Sequence, residues 1–364
     1  MTSLSFSDRR GGGRRCPLSE LMVMSLVALA CNERPPVSTG SAAPEPPTPV
    51  ESAGAEVGLA ATPAVPLAAP RALPAFCAGA GAAPPPAASA RPSLVKDGFV
   101  FVEGPVWSAQ LGAFLFSEMD FDHQGKDGPP STIHQLILPS SVEVFIPSGG
   151  SNGLAIDEQG LVACTHDTRT LSRFDLGSKA RSVFVADYQG KHFNSPNDVA
   201  LHSAGYVYFS DPDWQLGERT NETGMTGVYL RKPTGEVVLV DGSLDKPNGV
   251  SLSPDETRLY VGSASGVVHW YPVLADGSVG ARQLLAEVKE PDGMGVDCAG
   301  RLYVTSHSAG ELIVLSPEGQ TLSVIPVAPR ATNVAFGGAD RKTLLITAGT
   351  GLYTLRSDTP GFPY

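Results

Sequence analysis

The sequence predicts an all-β, six-bladed β-propeller. Three observations carry that prediction: one phrase recurs six times, its period is about 40–50 residues, and a spare strand precedes the first copy. A signal segment and a disordered Ala/Pro-rich tether are expected in front of it. The expected divisions are a leader over 1–31, a linker over 32–92 and the propeller over 93–364.

The leader opens with Arg9, Arg10, Arg14 and Arg15 and continues into "LMVMSLVALA", which ends at Cys31. A basic start, a short apolar stretch and small residues before a cut make a secretory signal. The apolar run is too short to cross a bilayer. A cysteine directly after "ALA" looks like the bacterial lipoprotein signal, although Glu20 and Leu29 depart from that pattern. The expected location is therefore outside the cytoplasm: the cell envelope, with a lipid at Cys31 as the membrane contact, or the periplasm or medium. From Asn32 to about Pro92 the chain is Ala, Pro, Ser and Glu, a composition that cannot bury a core. Of the other cysteines, Cys164 and Cys298 sit in or beside strand-like runs and read as buried apolar residues. Export would permit a disulfide involving Cys77, and spacing assigns it no partner.

The six copies are "EGPVWSAQLGAFLFSEMD" from Glu103, "NGLAIDEQGLVACTHD" from Asn152 and "NDVALHSAGYVYFSDP" from Asn197. They continue with "NGVSLSPDETRLYVGSA" from Asn248, "DGMGVDCAGRLYVTSHS" from Asp292 and "NVAFGGADRKTLLITAG" from Asn333. Each opens with an acid or an asparagine, runs through apolar residues to a turn, and returns on a second apolar strand. Further strands follow, as in "GVYLRKPTGEVVLV". The last copy has room for three strands only. The fourth is expected from "SLVKDGFVFV" at the front, which would seal the ring and remove its exposed edges.

First strands line the channel of a propeller. In phase, Glu103, Asn152, Asn197, Asn248, Asp292 and Asn333 would ring one end of it. Carboxylates and amides offer oxygen, which suits a hard cation such as Ca²⁺. The competing reading is that "NG" and "DG" merely start strands. The ends of the second strands return to the same face. They place Asp120, His166, Asp211 and His307 around the mouth, with Asp211 as a substrate contact. The polar segment after Asp211 could fold over the mouth, with Trp214 as an apolar wall. Net charge is −11 and no basic stripe is visible, which argues against nucleic acid as a partner.

Four motifs together resemble the senescence-marker-protein/gluconolactonase/luciferin-regenerating-enzyme group of six-bladed propellers. They are "EGPVW" at 103–107, "NSPND" at 194–198, "PNGVSLSPDE" at 247–256 and "PDGMGVD" at 291–297. The resemblance spans about Val95 to Leu355. It implies a divalent metal in the channel, most often Ca²⁺, with Zn²⁺ or Mn²⁺ in some members. The matching positions imply that Glu103 and Asp292 bind it by carboxylate and Asn248 by amide, with Asn197 on metal or substrate. Asp292 is also the implied general base. The repeat argument adds Asn152 and Asn333 as substrate contacts or supports behind the ligands. Some members carry an arginine two residues before the equivalent of Asn197; here that residue is Ser195, which puts their sugar-acid lactones in doubt. His166 matches a mechanistic histidine of the more distant paraoxonases.

The implied chemistry is hydrolysis of a small-molecule lactone. The cation polarises the ester carbonyl, and Asp292, or a metal-bound water that it deprotonates, acts as base, with His166 as a second candidate. No "GxSxG" elbow is present, which argues against a serine hydrolase. The alternative is a non-catalytic, envelope-tethered propeller that binds a partner or glycan around a structural metal. A lyase or synthase on a related propeller is a third reading, weakened by the retained ligands.

Overall fold

The computed structural model describes residues 65–362. The leader, Cys31 and the first half of the expected linker lie outside the described residues. Within them, strands form six antiparallel four-stranded sheets. Blades 1–5 each use four consecutive strands (102–146, 151–185, 199–241, 247–287 and 291–326). Blade 6 combines the last three strands of the chain with Ser93–Asp97 from its front. Ser93 faces Thr354 and Asp97 faces Gly351. The closing strand is thus the spare one.

Burial follows position in the blade. The first strands Val102–Ser108 and Ala331–Gly337 are buried throughout, because they have protein on both faces. Outer strands such as Ser141–Ile146 and Arg181–Val185 are largely open to solvent. Neighbouring blades meet through apolar faces. Val106 and Leu115 pack with Leu154 and Ala163 between blades 1 and 2, and Tyr303 and Val314 pack with Phe336 and Leu344 between blades 5 and 6. Each large side chain buried this way contributes about 1.5–3 kcal/mol.

The "NG" and "DG" pairs are not turns. In blades 1, 2, 4, 5 and 6 the first strand carries one extra residue against the second, at the repeat's opening: between Glu103 and Val106, Ser151 and Leu154, Pro247 and Val250, Pro291 and Met294, and Ala331 and Asn333. Such a bulge releases a side chain from the ladder and re-aims it. In blades 1, 2, 4 and 5 the opening residue is followed by a glycine that lies against the opening of the next blade. A Cβ on Gly104 would stand 2.2 Å from the Asn152 carbonyl oxygen, and one on Gly249 2.2 Å from that of Asp292. Only glycine lets the blades approach this closely.

The expected disordered linker is corrected from Val65 onward. Residues 65–92 form a strap docked on the propeller. Arg71 pairs with Glu256 at 2.8 Å, Cys77 is disulfide-bonded to Cys298, and Arg301 donates from Nη1 to the Ala83 carbonyl at 2.9 Å. The Arg341 guanidinium lies 4.3 Å from the Phe76 ring centre. Cys298 is buried as expected, but as half of a disulfide and not as a free apolar residue. These partners occupy the turns between first and second strands of blades 4, 5 and 6. The strap therefore crosses the face opposite the repeat openings. An Ala/Pro segment cannot build a core, but stiff chain loses little freedom when it docks on one already built.

Candidate active site

A cavity of about 960 Å³ opens at the channel end where the first strands begin. Glu103, Asn152, Asn197, Asn248 and Asp292 line it, together with His307. Five of the six repeat openings thus converge. The sixth, Asn333, stands behind them. Its Oδ1 accepts from the Val334 N–H at 2.8 Å, and its side chain hydrogen-bonds to Glu103.

Glu103 and Asp292 are buried carboxylates, 4% and 6% exposed. Burial pushes the Glu103 carboxyl well up from its usual range and the nearby Asp292 charge adds to this, while the Gly104 N–H opposes it. Burial also raises Asp292, against hydrogen bonds from His307 and Asn248. His307 Nδ1 lies 2.9 Å from Asp292 Oδ2, and this partnership raises the imidazole. Asp198, directly after Asn197, is pushed up to about 7 by burial; its Oδ2 accepts from Val250 N–H at 2.9 Å and ties blade 3 to blade 4.

Besides Asn333, three sequence-predicted residues are not brought to the cavity. His166 is fully buried, its Nε2 2.8 Å from the Pro129 carbonyl, and burial lowers it to about 4. Loops 121–130 and 212–226 meet above it: Glu218 N–H donates to the Lys126 carbonyl at 2.9 Å, and Arg219 to that of Asp167 at 3.0 Å. Asp211 is also fully buried. Its two oxygens accept the N–H groups of Asn194 and Ser195 at 2.8 and 2.9 Å, so it shapes the "NSPND" loop. Asp120 caps a short turn and faces His123. Of the four hairpin ends, only His307 reaches the cavity. Trp214 does line it, as expected. Ser195 sends nothing into it: its hydroxyl donates to the Pro212 carbonyl at 2.7 Å.

Phe101, Phe121, Gln215 and Arg330 also line the cavity and escaped the sequence reading. All four lie outside the repeated phrase. For Gln215 the one signal was its place beside Trp214.

Among the described residues no group of three or more His, Cys, Asp and Glu side chains is arranged to hold a metal ion. The channel instead offers two buried carboxylates beside amides. That set fits an oxygen-seeking cation better than zinc in a thiolate or imidazole site. The carboxylate pair carries unfavourable charge that a divalent cation would offset.

Comparison with known proteins agrees with this geometry. Residues 101–350 match the SMP-30/gluconolactonase/LRE-like region. A gluconolactonase of Zymomonas mobilis is 32% identical, over 74% of this chain and 82% of its own. A pentonolactonase of Haloferax volcanii is 25% identical, over 68% of this chain and 81% of its own. The structure of a Xanthomonas campestris gluconolactonase superposes with a TM-score of 0.65 at 29% identity, covering 81% of this chain and 98% of that one. A calcium-binding regucalcin of Agrobacterium tumefaciens, at 17% identity and TM-score 0.61 over 75% of this chain and 95% of its own, shares the fold. The chain belongs to the SMP-30/gluconolactonase/luciferin-regenerating-enzyme family.

Proposed function

We propose that this chain is an exported, gluconolactonase-like lactonase that opens the ring ester of a small-molecule lactone with the help of a divalent cation, Ca²⁺ first among the candidates. The observation that carries the reading is the convergence of Glu103 and Asp292, buried and close enough to raise the Glu103 carboxyl, with three amides at one cavity. The lactonases among its relatives support the reaction class.

Glu103, Asn197, Asn248 and Asp292 would hold the cation, and its chemistry there would be Lewis-acid polarisation of the ester carbonyl. Asp292 takes the proton of the attacking water as oxygen adds to the carbonyl carbon. The same carboxyl returns that proton to the ring oxygen as the C–O bond breaks, so the product is an open hydroxy acid. His307, bonded to Oδ2, fixes the orientation of the carboxylate. Asn152 binds substrate beside it. The binding-platform reading would use this acidic pair only to hold a structural metal, and the lactonases among the relatives favour catalysis over it.

Export is supported by the Cys77–Cys298 disulfide, since such bonds persist in oxidising compartments. Lipid attachment at Cys31 belongs to the same proposal: Cys31→Ser should move the protein from the membrane fraction to the soluble one.

The test is acid release from a panel of γ- and δ-lactones, with added Ca²⁺, Zn²⁺ or Mn²⁺ or with chelator. Turnover should require metal and fall by about a thousandfold or more in Asp292→Ala. Full activity in chelator, or in that variant, would sink the reading.

A further inference from the structure

The cavity is larger than the chemistry at its base requires. About 960 Å³ stands near the top of the range of about 300–1,000 Å³ for small-molecule sites, and a single-ring sugar lactone fills only a fraction of it. The excess lies toward the mouth, where three aromatic side chains are each joined to a polar one. Phe121 is followed by Asp122, Trp214 by Gln215, and the Arg330 guanidinium sits 5.5 Å from the Phe101 ring centre. Phe101 and Phe121 meet edge to face at 5.4 Å, and Phe121 and Trp214 are each 37% exposed.

The polar members have capacity to spare. Among the described residues neither Asp122 nor Arg330 is in an ion pair or a side-chain hydrogen bond, and Gln215, 5% exposed, keeps its Oε1 without a hydrogen-bond partner. A buried acceptor left unpaired is costly, which points to a ligand donor. The wall is also pre-formed, because the loops that carry Phe121 and Trp214 are bonded to each other through Lys126 and Glu218. An aromatic face with hydrogen-bonding groups at its edge matches a pyranose ring, whose C–H face is apolar and whose rim is hydroxylated. An alkyl chain would leave the polar half of this wall unused.

Resting on the lactonase reading, we propose that this rim is a subsite for a second sugar ring, and that the preferred substrate is an aldonolactone bearing a glycosyl substituent. The catalytic end holds the lactone; Phe101, Phe121 and Trp214 stack the attached ring; Asp122, Gln215 and Arg330 read its hydroxyls.

The experiment compares kcat/KM for cellobiono- and maltobiono-δ-lactone with that for glucono-δ-lactone and for an alkyl-substituted δ-lactone of similar length. A two-ring lactone should be favoured about tenfold or more, and Phe121→Ala and Trp214→Ala should each pull that ratio toward one. A wild-type ratio at or below one, or a preference for the alkyl lactone, overturns the subsite. Calorimetric binding of the open product acids to the wild-type protein separates the two readings. If no lactone turns over but the two-ring acid binds about tenfold more tightly than gluconate, the lactonase reading fails and the subsite stands. Equal or no binding of the two acids removes the subsite whether or not turnover is seen.

Discussion

Glu103 is a residue that the folded chain holds at a loss. Its carboxyl is raised by burial and by Asp292, so the charged form weakens the fold at neutral pH and the penalty vanishes only below the unfolded carboxyl's range. Glu103→Gln should therefore raise the melting temperature of the metal-free protein by about 1–2 °C, the shift that one kcal/mol produces in a domain of about 300 residues. If the cavity takes up Ca²⁺ as proposed, the same variant should weaken the stabilisation that the added ion gives. Thermal scans in chelator and in Ca²⁺ check both. His166 acts in the opposite sense. It stays neutral down to about pH 4, whereas an unfolded histidine takes up its proton near 6.5. The stability it contributes is complete above pH 6.5 and is lost as pH falls to about 4, a change of about 3 kcal/mol. Denaturant titrations at pH 7 and 4.5 should show that loss in the wild type and a flatter response in His166→Gln.

At the scale of the element, the bulged first strand explains both what the sequence disclosed and what it hid. The recurring acid or asparagine marked the six openings, five of which line the cavity, and in four of them the glycine that follows lets the neighbouring backbone pass. The ends of the second strands gave no comparable signal. His166 and His307 look equivalent in sequence, yet two long loops bury the first and leave the second in the cavity. What separates them is contact between distant segments, Lys126 with Glu218 and Asp167 with Arg219, which no local pattern records. The strap was misread for a related reason: its composition describes a chain that cannot fold alone, and it does not fold alone. Reducing Cys77–Cys298, or making Cys77→Ser, should cost about 2–4 kcal/mol. Limited proteolysis should then cut within 65–92 before it cuts the blades. Cleavage that begins in the blades would show that the strap is held without the disulfide.

For the whole molecule, ring closure depends on a strand from the far end of the chain. Ser93–Asp97 covers the outer edge of Gly351–Arg356. A chain begun at Phe99 would expose that edge, and edges of this kind pair between molecules. Size-exclusion chromatography should find the shortened chain in aggregates while the protein begun at Val65 stays monodisperse. The route of the strap also fixes an orientation. Because residues 65–92 run along the turns carrying Glu256, Cys298 and Arg341, the polypeptide enters the propeller from behind, with the mouth on the other side. A bead or domain joined directly at Val65 is attached on that rear face. The opening lies on the other side, so the enzyme can be immobilised at Val65 without blinding it.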